Sequence, residues 1–195
     1  LKKAAVDNSA SGVNFSASPT HNNVENLSVM AICTFLKIDL DDLGYRIGPI
    51  FNSAGRISNA NQIIELLTTT SINKRMNILE KIFDLNKKRK KIEETVLNII
   101  DYNEVEKQDG IIFIYLPNIS EGIIGIIASR IKEYTNKPCI VFTNSFSNIK
   151  GSARSIKNFN IADFIHKALK KNIIISGGGH NLAAGITLSK NKLDL

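Results

Sequence analysis

The chain has 195 residues, of which 43% are hydrophobic and 22% charged, with a net charge of +7. That balance supports a packed core and excludes compositional disorder. No apolar run reaches the roughly 18–20 residues that span a bilayer, and no secretory pattern opens the chain. Cys33 and Cys139 both lie in apolar runs and read as free thiols of a reducing cytoplasm. With only His21, His166 and His180 beside them, a zinc site is excluded. Residues 108–195 carry 11 basic and 5 acidic side chains, nearly all of the positive excess, which suits a face for a polyanion there or a merely basic surface.

Residues 1–22, rich in Ser, Asn and Ala, read as a frayed helix and a loop. Leu27, Met30, Ala31 and Phe35 recur at helical spacing and predict a helix over 24–38. Asp39, Asp41 and Asp42 then cap and begin a short helix, with a metal cluster as the alternative. From Ile47 to Ile57 the glycines Gly48 and Gly55 bracket Pro49 and Asn52, which predicts a bent, irregular backbone. Arg56 at its end has room for a phosphate or carboxylate, or is a solvated side chain of a connector. Ile63, Ile64, Leu66 and Leu67 predict a short packed helix. A long helix follows from about Asn73 to Tyr102, with Met76, Leu79, Phe83, Ile92, Val96 and Ile99 as its apolar stripe. Its basic block, Lys87 to Lys91, is either a solvated face or faces a nucleic acid.

From Ile111 onward, strands alternate with helices. Strands are predicted at 111–116, 138–142 and 149–155, helices at 121–134 and 161–169, a buried strand at 173–175 and a last strand at 183–188. Such alternation defines an α/β layer with a parallel or mixed sheet. Two places carry chemistry. Ser152 and Arg154, two apart in a strand, project to one side as a hydroxyl–guanidinium pair suited to a phosphate, or form the polar edge of an exposed strand. Gly177, Gly178 and Gly179 read as a bend whose amides cradle an anion, with His180 placed to donate to it, or as a plain glycine-rich turn.

Four ordered motifs then combine: Gly48-Pro49 with Asn52-Ser53-Ala54-Gly55-Arg56, Glu121 to Arg130, Gly151 to Ser155, and Gly177 to His180 with Ala183-Ala184-Gly185. Together they are similar to the RecJ-type single-strand-specific DNA exonucleases of the DHH phosphoesterase superfamily, over roughly residues 40–190. The resemblance implies that residues 1–70 are the end of a DHH catalytic domain, 71–107 a long connector helix and 108–195 a DHH-associated substrate-binding domain with a mixed sheet. It implies that His180 and Gly177, Gly178 and Gly179 meet the phosphate near the cut, that Ser152 and Arg154 hold the 5′ phosphate, and that Asn52 and Arg56 contact the backbone phosphates. The implied partner is single-stranded DNA, the implied setting a cytoplasmic monomer, and the implied cofactor Mn or Mg in a full-length enzyme.

Departures accompany the resemblance. Ile50 stands where the family has an arginine after Gly-Pro, and Ser120 where it has a histidine. The Asp-His-His triplet that binds metal in the family is not in this sequence, and the chain opens on Leu1 instead of Met. The expectation is therefore a chain that binds but does not cut, belonging to an exonuclease whose metal domain lies upstream. The alternatives are a non-catalytic nucleic-acid-binding module or decayed remnant, and a relative acting on short oligonucleotides or cyclic dinucleotides.

Overall fold

A computed structural model describes residues 40–192. The helix expected over 24–38, Asp39, Cys33 and His21 lie outside them. Helix α1 (Leu40–Asp42) passes through a π-helical segment (Leu43–Ile47) into α2 (Gly48–Ile57). The irregular backbone expected over 47–57 is thus a continuous helical path. Pro49 is tolerated because it sits in the first turn, where its missing N–H has no partner to lose. Asp42 and Arg46 pair at 3.0 Å one turn apart.

Helix α3 (Asn61–Thr68) matches its expected place, and α4 (Ile72–Ile99) runs 28 residues, about 42 Å. The chain breaks at Ile100, earlier than expected. Asp101 accepts from the amides of Asn103 and Glu104 and caps a separate helix, α5 (Tyr102–Lys107). The expected stripe of α4 holds only in part: Val96 is buried and Leu79 and Ile92 pack against the cores, but Met76, Phe83 and Ile99 are exposed, while Ile78, Ile82, Asn86, Arg89 and Glu93 are buried. The reason is that α4 serves two cores. Its first half packs with Leu66, Ile50 and Phe51, and Val96 joins the core of the sheet layer.

Arg89 therefore departs from the basic block. It is buried, bonded to Asn86 and at 2.8 Å from Glu93, whose other oxygen accepts from Arg130 at 2.9 Å. This bridge ties α4 to α6 (Glu121–Thr135). Lys87, Lys88, Lys90 and Lys91 remain exposed.

Five strands follow the order β1-β2-β3-β5-β4: β1 (Ile112–Tyr115), β2 (Cys139–Ser145), β3 (Asn148–Arg154), β4 (Ser176–His180) and β5 (Ala183–Ser189). Only the β1–β2 pairing is parallel, so the sheet is mixed. Alternation sorts each strand onto two faces. Cys139 and Val141 on one face bury against Ile123, Ile127, Ala128 and Ile131 of α6. Ile140, Ala153, Ala184 and Ile186 on the other face share a core with Ile161 and Ile165 of α7 (Ile161–Lys170). Burial raises the Cys139 thiol to about 12, which keeps it protonated and inert. Within the described residues no helix is long and apolar enough to cross a membrane.

One sequence expectation is overturned at the sheet edge. Ile173 and Ile175 are exposed and only Ile174 is buried, so the isoleucine run is not the strand. The glycines themselves form β4, an edge strand paired antiparallel to β5.

Candidate phosphate-binding site

The register of three neighbouring strands builds the site. Arg154 stands opposite Ala183, and Ala183 opposite His180; Ser152 stands opposite Gly185, and Gly185 opposite Gly178. Directly opposed residues of antiparallel strands share a face. Arg154, Ser152, Gly178 and His180 therefore lie on one face, with the arginine and histidine backbones two strand spacings, about 10 Å, apart. Helix α6 covers this face only as far as β3. Beyond it, the floor is Gly185 and Gly178, at neither of which an added Cβ would meet anything within 4 Å.

The three consecutive glycines have three different surroundings. None has a positive φ, so backbone freedom is not their role. A Cβ on Gly177 would strike Ile165 of α7 at 2.7 Å, and one on Gly179 would strike the Ala183 carbonyl at 2.1 Å. Gly178 alone of the three opens onto the site face. The expected amide-lined bend is thus a flat strand whose bareness allows close approach.

Ser152 and Arg154 are brought together as their spacing predicts: Nη1 of Arg154 donates to Ser152 Oγ at 3.1 Å and to the Ala153 carbonyl at 2.8 Å. The guanidinium passes over α6 at Gly125, where a Cβ would lie 2.9 Å from Nη2. Burial, and after it the like charge of Arg56, hold Arg154 below its ordinary arginine value. It remains charged at neutral pH. Neither guanidinium is in an ion pair among the described residues, so the two charges are left unbalanced there.

Arg56 has a second task that its sequence context does not reveal. Its Nη1 donates to the Gly122 carbonyl at 2.9 Å, and its own carbonyl accepts from Ser120 Oγ at 3.2 Å. A Cβ on Gly122 would come within 2.2 Å of that carbonyl, so the end of α2 rests directly on the start of α6. Asn52 is exposed one helical turn before Arg56, on the same side of α2. Ser120 also caps α6 by accepting from Gly122 N at 3.3 Å. Ser120→Ala should lower stability by about 1 kcal/mol in urea denaturation through loss of this cap.

His180 is exposed, and its Nδ1 accepts from the Leu182 amide at 3.3 Å. In the neutral ring the proton then sits on Nε2, which is left as a donor. Lys150 was missed by sequence reasoning. It shares the face of Ser152 and Arg154, and the period of two that links those residues also reaches it.

The mixed sheet with its helices is a DHHA1 domain: residues 108–195 match that domain family. Over a longer span the chain is 32% identical to the single-stranded-DNA-specific exonuclease RecJ of Escherichia coli K12, across 168 residues that make up 82% of this chain and 29% of that protein. It is 34% identical to the RecJ of Haemophilus influenzae over 156 residues, 75% of this chain and 27% of that one. RecJ from Thermus thermophilus in complex with Mg2+ superposes with a TM-score of 0.70 at 23% identity, covering 85% of this chain and 26% of that structure. An exonuclease RecJ bound to manganese gives 0.68 at 24% identity, covering 85% and 42%. Residues 108–195 belong to the DHHA1 domain family, and over most of its length the chain is similar to RecJ; it spans less than a third of the length of the curated relatives it matches.

Those solved relatives hold Mg2+ or Mn2+. Among the described residues of this chain no group of three or more His, Cys, Asp or Glu side chains could hold a metal ion. The described site therefore does not fit the metal.

Proposed function

We propose that this chain supplies the substrate-binding face of a RecJ-like exonuclease that hydrolyses single-stranded DNA from its 5′ end. The observation that supports this reading best is the gathering of Arg154, Ser152 and His180 on one bare, glycine-floored face, with Arg56 beside Arg154. On this reading Arg154 and Ser152 hold a terminal phosphate, Nε2 of His180 donates to the phosphate near the cut, and Gly177, Gly178 and Gly179 let the backbone of the substrate approach. Arg56 contributes charge from its clasp on α6, and Asn52 extends that side. Residues 1–70 would then close a metal-bearing catalytic domain, 71–107 connect, and 108–195 bind substrate. Hydrolysis falls to the metal domain.

A second reading, a binding module without catalysis, draws on the two departures. Ile50 packs against the core of Leu66, Ile78 and Ile82, and Ser120 caps a helix. Both positions have structural work where the family has an arginine and a histidine.

The test is a fluorescence-anisotropy titration with labelled oligo-dT at stepped salt. Affinity should fall with salt with a slope of about −0.7 per phosphate engaged. His180→Ala should weaken binding by ~1 kcal/mol, roughly fivefold, by removing one hydrogen bond. A salt-independent affinity, or equal affinity for the variant, counts against the assigned face. DNA cleavage by this chain alone in Mn2+ would overturn the assignment of hydrolysis to another domain.

A further inference from the structure

Among the described residues the fold buries two charged side chains, Arg89 and Glu93, of which 10% and 11% stay exposed. Both Glu93 oxygens are engaged: Oε2 accepts from Arg89 at 2.8 Å and Oε1 from Nε of Arg130 at 2.9 Å. Nε and Nη2 of Arg89 share the Asn86 side-chain oxygen at 3.2 and 3.1 Å. Arg130 is more exposed and also lies 3.4 Å from Glu133. Such a cluster is weak evidence for stability, because desolvating its charges offsets much of their attraction. What it supplies is direction. A carboxylate with each oxygen on a different guanidinium holds α4 at one angle to α6, which the neighbouring apolar contacts of Ile92 and Val96 do not demand.

That angle reaches the phosphate-suited face through α2. Ile50 and Phe51 of α2 pack on the cluster of Leu66, Ile78 and Ile82, which joins α2 to the first half of α4. The joined piece is bonded to α6 at two places, Arg56 at Gly122 and Glu93 at Arg130. Eight residues of helix, about 12 Å, separate them. One such contact is a pivot, and two fix the angle. A turn of about 10° around the Gly122 contact moves the tip of a long side chain by about 1 Å, more than the roughly 0.5 Å that a preorganised site tolerates. Arg56 is the side chain that leaves α2 at this pivot, and its charge is felt by Arg154.

We propose that Arg130 and Glu93 are positioning residues whose bridge holds α2 at the angle that aims Arg56 at a phosphate bound by Arg154. The inference rests on the reading of Arg56, Ser152 and Arg154 as one phosphate site. Arg130 and Glu93 act through Arg56 and do not touch the ligand.

The test is a fluorescence-anisotropy titration of the whole chain with labelled oligo-dT. Arg130→Met keeps an aliphatic stem and leaves the buried Arg89–Glu93 pair in place, so the variant should fold, which its urea midpoint checks. It should bind about threefold more weakly, because the site is misaligned and no contact is lost. Arg130→Lys keeps the charge and a donor for Glu93, and should bind like the parent. In an Arg56→Ala background Arg130→Met should cost nothing further, because the group it positions is gone. In an Arg154→Ala background it should cost the same as in the parent. A silent Arg130→Met beside a weakened Arg154→Ala overturns the positioning role and leaves the phosphate reading standing. If Arg56→Ala and Arg154→Ala are both silent, that reading falls too. An equal loss from Arg130→Met in the parent and in Arg56→Ala overturns the proposal, since it marks Arg130 as a direct phosphate contact or as framework. Equal losses in Arg130→Lys and Arg130→Met also overturn it.

Discussion

Arg154→Ala should weaken single-stranded DNA binding by about 2 kcal/mol, roughly thirtyfold, while leaving the fold intact. A guanidinium that meets a phosphate makes charge-assisted hydrogen bonds, which are about twice as strong as neutral ones. In the free protein the same group is half-buried, feels the like charge of Arg56 and forms no ion pair with a carboxylate among the described residues. Its present bonds, to Ser152 Oγ and the Ala153 carbonyl, are offset by that desolvation and by the like charge. Removing it should therefore change the urea midpoint by no more than about 1 kcal/mol in stability. The two measurements separate a binding residue from a structural one: a large stability loss with unchanged affinity would assign Arg154 to the framework.

Gly179→Ala should destabilise the protein by roughly 2–3 kcal/mol, whereas Gly178→Ala should be nearly silent in stability and damaging to binding. The difference is one of space. A methyl group at 179 points toward β5 and would lie 2.1 Å from the Ala183 carbonyl and 2.5 Å from the Ala184 Cα, so backbone must move. At 178 the methyl points into the open site and meets nothing within 4 Å. It would occupy the surface over which a phosphate or sugar must pass. Urea denaturation and anisotropy on the pair check this. A Gly178→Ala variant that binds oligo-dT like the parent would mean that the ligand does not cross β4.

Much of the site could be read from residue spacing, because strand geometry has a period of two. Ser152 and Arg154 were placed on one side by that period alone, and the structure keeps them there. The same rule read across the strand ladder would have included Lys150. The helices of the sheet layer were equally legible, since α6 and α7 each turn one apolar side to one core. Helix α4 was not. Its two halves bury against different partners, so no single stripe describes it, and Arg89 enters the interior because Glu93 and Asn86 await it there. The glycine run misled for a related reason. Bare backbone is compatible with a bend or a strand, and only the neighbouring β5 and Ile165 decide between them.

By itself, then, the sequence determined the α/β class and the pairing of Ser152 with Arg154 on one face, since these follow from periodicity within short stretches, and it carried the motifs of the RecJ resemblance. Tertiary structure decided which other side chains join that pair. Arg56 reaches the site from a helix about a hundred residues before Arg154 because Gly122 lets α2 rest on α6, and His180 joins Arg154 because β5 lies between their strands. Contacts of that kind depend on strand order and on close backbone approach, which local patterns do not encode.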